Sequence, residues 1–114
     1  MAQLNVELSD EQMEEWSWLT AQKLRPGVVV GRVLGEDLIV AFVTSNVEPV
    51  NDRSEHLLDR SHPEFTATGL KVPSVIRLGK LATLERRLVQ RRLGRVGVAT
   101  RQAIARCLRY VFDL

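Results

Sequence analysis

The side chains able to do chemistry in this sequence are arginines and hydroxyls rather than clusters of thiols or imidazoles. Cys107 is the single cysteine, and His56 and His62 are the two histidines. One thiol cannot form an intrachain disulfide, and one thiol with two imidazoles cannot supply a closed structural zinc site. Cys107 falls on the apolar stripe of a predicted helix and is expected in the core. The histidines lie in a polar segment, where exposure to solvent is the ordinary outcome, and are held in reserve as candidate acid or base.

Charge is distributed unevenly along the chain. The formal net charge is only +2, but residues 1–70 carry five Lys or Arg against twelve Asp or Glu, and residues 71–114 carry eleven against two. Nine of those eleven cations are arginine, whose planar fork suits phosphate and carboxylate groups. This half of the chain therefore predicts a polyanionic partner. The competing interpretation is that the charges only solvate one face of each element.

Length and composition bound the organisation of the chain. With 114 residues, 45% of them hydrophobic and 26% charged, we expect one domain over residues 1–114. Residues 1–18 form an acidic N-terminal segment of that domain. No apolar run approaches the roughly 20 residues of a membrane-spanning helix, and residues 1–4 do not start a signal peptide. We therefore expect a cytoplasmic protein.

The N-terminal half predicts one helix and one hairpin. Ser9-Asp10-Glu11-Gln12 has the spacing of a capping box, which predicts a helix over residues 10–21. Two β-branched runs, 28–34 and 38–43, flank the turn signal Gly35-Glu36-Asp37 and predict a β-hairpin. Both runs are continuously apolar, which indicates strands covered on both faces, as in a small closed or half-closed barrel.

The C-terminal half predicts a loop, a strand and a final helix. Residues 45–63 are polar with little periodicity and predict a long surface excursion. A strand is predicted over 73–78, with Pro73 tolerated at its first position. Leu81, Leu84 and Leu88 recur at helical spacing, yet residues 89–96 could extend as a strand, so this stretch stays open. Thr100 is predicted to cap a last helix with apolar positions at Ile104, Cys107, Leu108, Val111 and Phe112.

Several short motifs, taken in their order along the chain, resemble the PemK/MazF family of toxins from bacterial toxin–antitoxin systems. Each motif is weak alone, and the colinear order over residues 19–114 gives the resemblance its specificity. The motifs are Arg25-Pro26, Val28-Val29-Val30, Thr44-Ser45, Gly69-Leu70, Ser74-Val75-Ile76-Arg77-Leu78, Ala82-Thr83-Leu84-Glu85 and Leu93-Gly94-Arg95-Val96. The resemblance implies an α+β, mainly β fold, with an SH3-like twisted β-barrel, an N-terminal helix and a C-terminal amphipathic helix. It further implies a homodimer, an acidic antitoxin as partner, and no metal or other cofactor.

The activity that the resemblance implies is cleavage of single-stranded RNA by attack of a ribose 2′-hydroxyl on the adjacent phosphorus. Arg25 matches the family's arginine before proline, which stabilises the phosphate and acts as acid, and Thr44 matches a hydrogen-bond donor to the same phosphate. Ser45 and Arg77 match a neighbouring hydroxyl and a second cation. Lys23 and Lys71 are candidates to hold flanking phosphates of the RNA. Such contacts with phosphates contribute a salt-dependent part of the affinity for nucleic acid.

Two departures from the family pattern define an alternative function. Many members carry an acid two positions after the strand arginine, and Gly79 at this position can neither accept a proton nor orient a hydroxyl. The chain also starts with an acidic segment, in which residues 4–8 either supply a replacement first strand or belong to a remodelled start. The alternative is therefore a catalytically silent dimeric module that binds nucleic acid or an antitoxin.

The acidic start suggests a further hypothesis. Residues 1–15 carry five acids and no Lys or Arg, opposite in charge to the C-terminal half. This segment is a candidate built-in antitoxin mimic that covers the basic groove, with plain surface solvation as the competing interpretation.

Overall fold

The computed structural model describes residues 4–9, 24–32, 35–48 and 52–114. In chain order, the described elements are β1 (Leu4–Ser9), β2 (Leu24–Arg32), β3 (Asp37–Thr44), β4 (Glu55–Leu58), β5 (Ser74–Glu85), β6 (Arg91–Arg95) and α1 (Val98–Val111). Short 3₁₀ turns span Thr66–Thr68 and Arg86–Leu88. This mainly β composition with a C-terminal helix confirms the predicted fold class. The helix predicted over residues 10–21 lies outside the described residues.

The strands form one antiparallel sheet in the order β4-β5-β3-β2-β1-β6. The predicted hairpin is present as β2 and β3, joined through a turn in which Gly35 has a φ of +84°, a conformation that glycine adopts readily. The register shifts within the β1–β6, β2–β3 and β3–β5 pairings. Such irregularities bend strands and increase their twist, and the sheet curls into a half-barrel.

Strand β1 shows which of the two alternatives for residues 4–8 is correct, a replacement first strand or a remodelled start. It pairs with β2 on one side and β6 on the other, with Leu8 opposite Arg25 and Leu4 opposite Arg95. Residues 4–8 thus supply the replacement strand that their alternation allowed. A deletion of residues 1–15 would therefore remove an interior strand of the sheet.

Apolar side chains pack on both faces of the sheet, as the continuous apolar runs of the hairpin predict. On the face that we call the helix face, Val28 and Ala41 pack with Ile104 of α1. On the opposite face, which we call the Phe42 face, Val40 and Phe42 belong to a second buried cluster. The alternation of side chains along β3 therefore determines which residues lie beside the helix and which lie on the other side of the sheet.

Helix α1 begins at Val98 with Gly97 as its N-cap, so the prediction that Thr100 caps it was wrong. The Glu64 carboxylate accepts hydrogen bonds from the N–H groups of Ala99 and Thr100, both at 2.9 Å, and from the Thr100 hydroxyl at 2.6 Å. These bonds, with the Thr100 hydroxyl as the largest cause, hold the pKa of Glu64 below its ordinary value. A carboxylate from a distant loop therefore satisfies the exposed N–H groups at the helix start.

The other predictions for the C-terminal half are confirmed in part. Cys107 is buried as predicted, but Phe112 is 57% exposed because it follows the last helical residue, Val111. The stretch from Leu81 to residue 96, for which the sequence allowed a helix or a strand, contains the end of β5, a 3₁₀ turn and β6. The segment predicted as a surface excursion, 45–63, contains β4. This strand has four residues and one buried side chain, Leu58, and is too short for its periodicity to be recognised in the sequence. Within the described part of the chain, α1 has 14 residues and three arginines, and no helix meets the length and hydrophobicity of a membrane span.

Candidate active site

Three of the predicted site residues lie at one end of the sheet because neighbouring strands run in opposite directions. Arg25 lies near the start of β2, Thr44 ends β3, and Arg77 lies near the start of β5. The β2–β3 ladder pairs Gly27 with Phe42. Arg25 and Thr44 each lie two residues beyond that pair, towards the same end of the two strands. The fold thus brings the backbone positions of these three residues to one region.

Thr44 and Arg77 also share the Phe42 face of the sheet. Thr44 pairs with Val75, and Phe42 pairs with Arg77. Residues that are directly opposite, or two apart on one strand, point to the same face. Phe42 is buried at 5% exposure, whereas the Arg77 side chain is 47% exposed. The site therefore places an accessible cation beside an apolar floor.

The Thr44 hydroxyl is oriented by the turn that follows β3. Its Oγ1 accepts the backbone N–H of Asn46 at 3.1 Å, so the capping role that is ordinary for a threonine at a strand end is present. This bond uses the oxygen as an acceptor and leaves the hydroxyl proton able to donate to a ligand oxygen. Ser45 follows directly and is exposed. The strand end thus presents two neighbouring hydroxyls.

Arg77 is held by a carboxylate from the neighbouring edge strand. Glu55 pairs directly with Arg77 across β4 and β5, and the Arg77 Nε donates to Glu55 Oε2 at 3.0 Å. Within the described residues, no hydrogen bond occupies the Nη groups of Arg77. One edge of the guanidinium is therefore fixed, while the Nη groups can still bind a phosphate oxygen.

Gly79 lies in an irregular part of β5. The register of β3 and β5 shifts between Ala41 and Phe42, and the N–H of Leu78 donates to the carbonyl of Ser54 at 2.9 Å. A Cβ on Gly79 would lie 3.7 Å from Ser54, which is ordinary contact. The space would accept a side chain, so packing does not require glycine here. The acid expected at this position is absent, and Glu55 brings a carboxylate to Arg77 from another strand.

Of the two lysine candidates, the structure describes only Lys71. Lys71 is exposed in the loop before β5, and its carbonyl accepts a hydrogen bond from Arg60 Nη2 at 2.6 Å. This bond fixes the loop backbone at Lys71. Lys23 lies outside the described residues. A role for either lysine in holding RNA remains a prediction.

The two histidines do not join Thr44 and Arg77. His56 pairs with Ile76, whose side chain belongs to the core on the helix face, so His56 lies on the opposite side of the sheet. The His62 Nδ1 accepts the N–H of Glu64 at 3.0 Å and so supports the loop that caps α1. Among the described residues, no three His, Cys, Asp or Glu side chains lie close enough together to hold a metal ion.

Glu55 is the site residue that sequence reasoning missed. It falls in the segment predicted as a surface excursion, where an isolated glutamate has no distinguishing spacing. Its role depends on the register of β4 against β5, which joins residues 22 positions apart. Only the recognition of a four-residue strand that ends at Leu58 could have indicated this pairing.

Comparison with known proteins identifies the family. Residues 4–112 match the family model of PemK-like, MazF-like toxins of type II toxin–antitoxin systems. The Mycobacterium tuberculosis toxin MazF-mt6 is 20% identical and superposes with a TM-score of 0.67 over 96% of both chains. A mycobacterial endoribonuclease in complex with its cognate antitoxin is 14% identical, with a TM-score of 0.68 over 97% of this chain and 92% of that chain.

A further mycobacterial endoribonuclease is 17% identical, with a TM-score of 0.63 over 80% of this chain and 82% of that chain. No protein with a curated description matches the sequence. At these identities the superpositions show the fold, and the family model covers every strand and the whole of the helix described above. The chain therefore belongs to the PemK-like, MazF-like toxin family of type II toxin–antitoxin systems.

Proposed function

We propose that the protein is the toxin of a type II toxin–antitoxin system and cleaves single-stranded RNA without a metal ion. Membership of the family supports this proposal, as do the solved relatives described as endoribonucleases. The observation that carries it is the placement of Thr44 and Arg77 on one face, at the strand end that also holds Arg25. Two cations and two hydroxyls in one region match the needs of a phosphoryl-transfer site.

The proposed reaction begins with attack of a ribose 2′-oxygen on the adjacent phosphorus. The 2′-hydroxyl loses its proton to solvent water, the bond from phosphorus to the 5′-oxygen breaks, and that oxygen gains a proton from Arg25, which recovers one from solvent. The products are a 2′,3′-cyclic phosphate and a 5′-hydroxyl. Negative charge increases on the phosphoryl oxygens in the transition state, so fixed donors aimed at those oxygens lower the barrier.

Each site residue then has a role. Arg25 stabilises the phosphorane and protonates the leaving oxygen, Thr44 donates a hydrogen bond to a phosphoryl oxygen, and Ser45 supplies a second hydroxyl. Arg77 adds a second cation through its Nη groups. Glu55 is a positioning residue, since its carboxylate fixes the Nε edge of Arg77 at 3.0 Å.

The proposed partners follow from the same family. We expect a homodimer and an acidic antitoxin segment that competes with RNA for the basic surface. A solved relative bound to its cognate antitoxin supports this expectation. Lys23 and Lys71 are proposed to hold flanking phosphates, and the protein is proposed to act in the cytoplasm.

The direct test compares the protein with its Arg25→Ala variant on long single-stranded RNA in the presence of EDTA. We expect cleavage by the parent protein, with cyclic phosphate ends identified by mass spectrometry, and loss of this cleavage in the variant. Arg101→Ala, an exposed arginine on α1, is the matched control and should cleave normally. Cleavage that requires a divalent cation, or that survives in Arg25→Ala, would contradict the proposal.

The second candidate function is a silent binding module, and Gly79 is the observation that favours it. The position is exposed and accepts a side chain, yet offers no group to take a proton. In that case a folded dimer would bind RNA with a strong salt dependence and leave it intact. Absence of cleavage by a folded dimer in the experiment above would move the assignment to this module.

A further inference from the structure

A cluster of arginines lies across β4 from the candidate active site. Arg53 precedes β4, and Arg106 and Arg109 lie on α1, where they line a cavity of about 490 Å³ together with Tyr110. A second cavity of about 270 Å³ shares Arg53 and Arg106 and reaches inward to His56 and Cys107. We call these two neighbouring cavities together the arginine cleft.

The three arginines of the cleft outnumber the acidic residues that line it, which are Asp113 in the larger cavity and Glu55 in the smaller one. Within the described part of the chain, no carboxylate forms an ion pair with Arg53, Arg106 or Arg109. Asp113 lines the larger cavity without forming such a pair. Three guanidinium groups around one cavity repel each other unless an anion is bound between them. The excess of positive charge in the lining therefore favours an anion in the cleft.

Two further groups indicate what kind of anion fits. The Arg53 guanidinium lies 4.6 Å from the centre of the Tyr110 ring, which is 47% exposed and offers a surface for stacking. On the floor of the cleft, His56 Nε2 is buried and has no hydrogen-bond partner among the described residues. Burial, followed by the charges of His62 and Arg106, lowers the pKa of His56 and favours a neutral ring that can donate or accept. A nucleotide offers phosphate, base and sugar oxygen atoms to these three kinds of group.

The position of β4 links the cleft to the candidate active site. β4 is an edge strand of four residues, so the two faces of the sheet meet at its outer side. The Glu55 side chain holds Arg77 on the Phe42 face, while the Glu55 carbonyl accepts a hydrogen bond from the Cys107 thiol on the helix face. A single RNA strand that crosses this edge would contact both regions.

We infer that the arginine cleft is a second RNA-binding site, which holds the phosphates and one stacked base of the strand whose scissile phosphate lies near Thr44 and Arg77. This inference rests on the proposed function for its ligand. An acidic peptide would also satisfy the arginines, but a single RNA strand brings a stacking base together with a phosphate at every nucleotide. A single RNA strand thus offers a matching group to the arginines, to the Tyr110 ring and to His56.

The test measures binding of a 20-nucleotide, fully 2′-O-methylated RNA by fluorescence anisotropy at several salt concentrations. This probe lacks the attacking hydroxyl and stays intact. For Arg53→Gln/Arg106→Gln we expect about tenfold weaker binding at 0.1 M salt, and a salt dependence of log K that is lower by about 1.4, from roughly 0.7 per phosphate contact. Tyr110→Leu should weaken binding at least fivefold with an unchanged salt dependence.

The matched control is Arg87→Gln/Arg101→Gln, which removes the same number of charges from exposed positions outside the cleft. Equal losses in the two double variants would overturn the inference, because the effect would then come from net charge alone. Loss of binding to a 12-residue polyglutamate peptide with RNA affinity retained would also overturn it and assign the cleft to an acidic protein segment. The cleavage assay with Arg25→Ala decides the proposed function separately, since the methylated probe reports binding alone.

Discussion

The two sides of strand β4 hold their arginines in different ways. On the Phe42 face, Arg77 is fixed by Glu55 at 3.0 Å beside a buried apolar floor. On the helix face, Arg53, Arg106 and Arg109 surround a cavity and form no ion pair within the described residues. A cation held in place before the substrate arrives suits stabilisation of a transition state. A set of unpaired cations suits binding of a strand in its ground state, so the two sides predict different kinetic effects.

The largest effect is expected at Arg77. Arg77→Ala should lower kcat for RNA cleavage by about 100-fold or more with little change in KM, because a fixed donor acts mainly in the transition state. Steady-state kinetics on an oligonucleotide that contains a mapped cleavage site would measure both constants. Arg53→Gln/Arg106→Gln should instead raise KM and leave kcat nearly unchanged.

Arg87→Ala is the control for Arg77→Ala. Arg87 is an exposed arginine paired with Glu85 at 2.9 Å, which resembles the pairing of Arg77 but lies outside the candidate site. If Arg87→Ala lowered kcat as much as Arg77→Ala does, the distinction between a fixed catalytic cation and a general surface charge would fail.

A smaller effect is expected at Thr44. Thr44→Val removes a neutral donor, and neutral hydrogen bonds are about half as strong as charge-assisted ones, so kcat should fall by roughly 10- to 30-fold. The variant also loses the acceptor for the Asn46 N–H. Thr44→Ser keeps both functions and should stay within about threefold of the parent protein. Thermal unfolding of both variants separates the loss of the turn from the loss of the donor, and a normal rate in Thr44→Val would remove Thr44 from the site.

The sequence predicts the Phe42 side of this comparison better than the helix side. The hairpin follows from two β-branched runs around a turn, and antiparallel pairing then brings Arg25 and Thr44 to one end without any long-range information. Arg77 follows because its strand carries the apolar residues Val75, Ile76 and Leu78, which are all buried. Local pattern and tertiary structure agree at these positions.

Contacts between distant segments account for what the sequence did not reveal. Glu55 acquires its role only through the register of a four-residue edge strand, and Glu64 caps a helix that begins 34 positions later. The arginine cleft joins Arg53, in a segment predicted as loop, to two arginines of α1. None of these residues has a distinguishing neighbour in sequence, so composition indicated a polyanion partner but not where that partner binds.

The Glu64 cap offers a way to perturb the helix side alone. Glu64→Gln should lower the free energy of unfolding by about 0.5–2 kcal/mol at pH 7, the range for loss of a helix cap. The pKa of Glu64 is below its ordinary value of 4.5 in the folded protein, so its ionised form stabilises the fold at higher pH. This contribution is lost as the pH falls through the folded pKa.

Urea unfolding of the parent protein and of Glu64→Gln between pH 7 and pH 3 measures this dependence. The difference in stability should be greatest at pH 7 and shrink towards pH 3. The cleavage rate of the folded variant should stay close to normal, because the candidate active site lies on the strands of the other face. A constant difference across the whole pH range would show that the Glu64 charge does not contribute to the cap.

The smallest expected effect is a gain of activity at Gly79. Gly79→Asp places a carboxylate two residues after Arg77, where many family members carry an acid and where a Cβ meets only ordinary contacts with Ser54. A well-positioned general base contributes roughly 10²–10⁴ to a rate, and an unoptimised one should recover only about fivefold. Gly79→Asn has nearly the same shape without the charge and should give no gain.

A rate that rises in Gly79→Asp alone would mean that the parent site is limited by removal of the 2′-proton, and that Glu55 acts on Arg77 rather than on this proton. A fall in rate in Gly79→Asp alone would instead mean that the new carboxylate competes with the RNA phosphate for Arg77. The site would then tolerate one carboxylate beside Arg77, that of Glu55, and not a second.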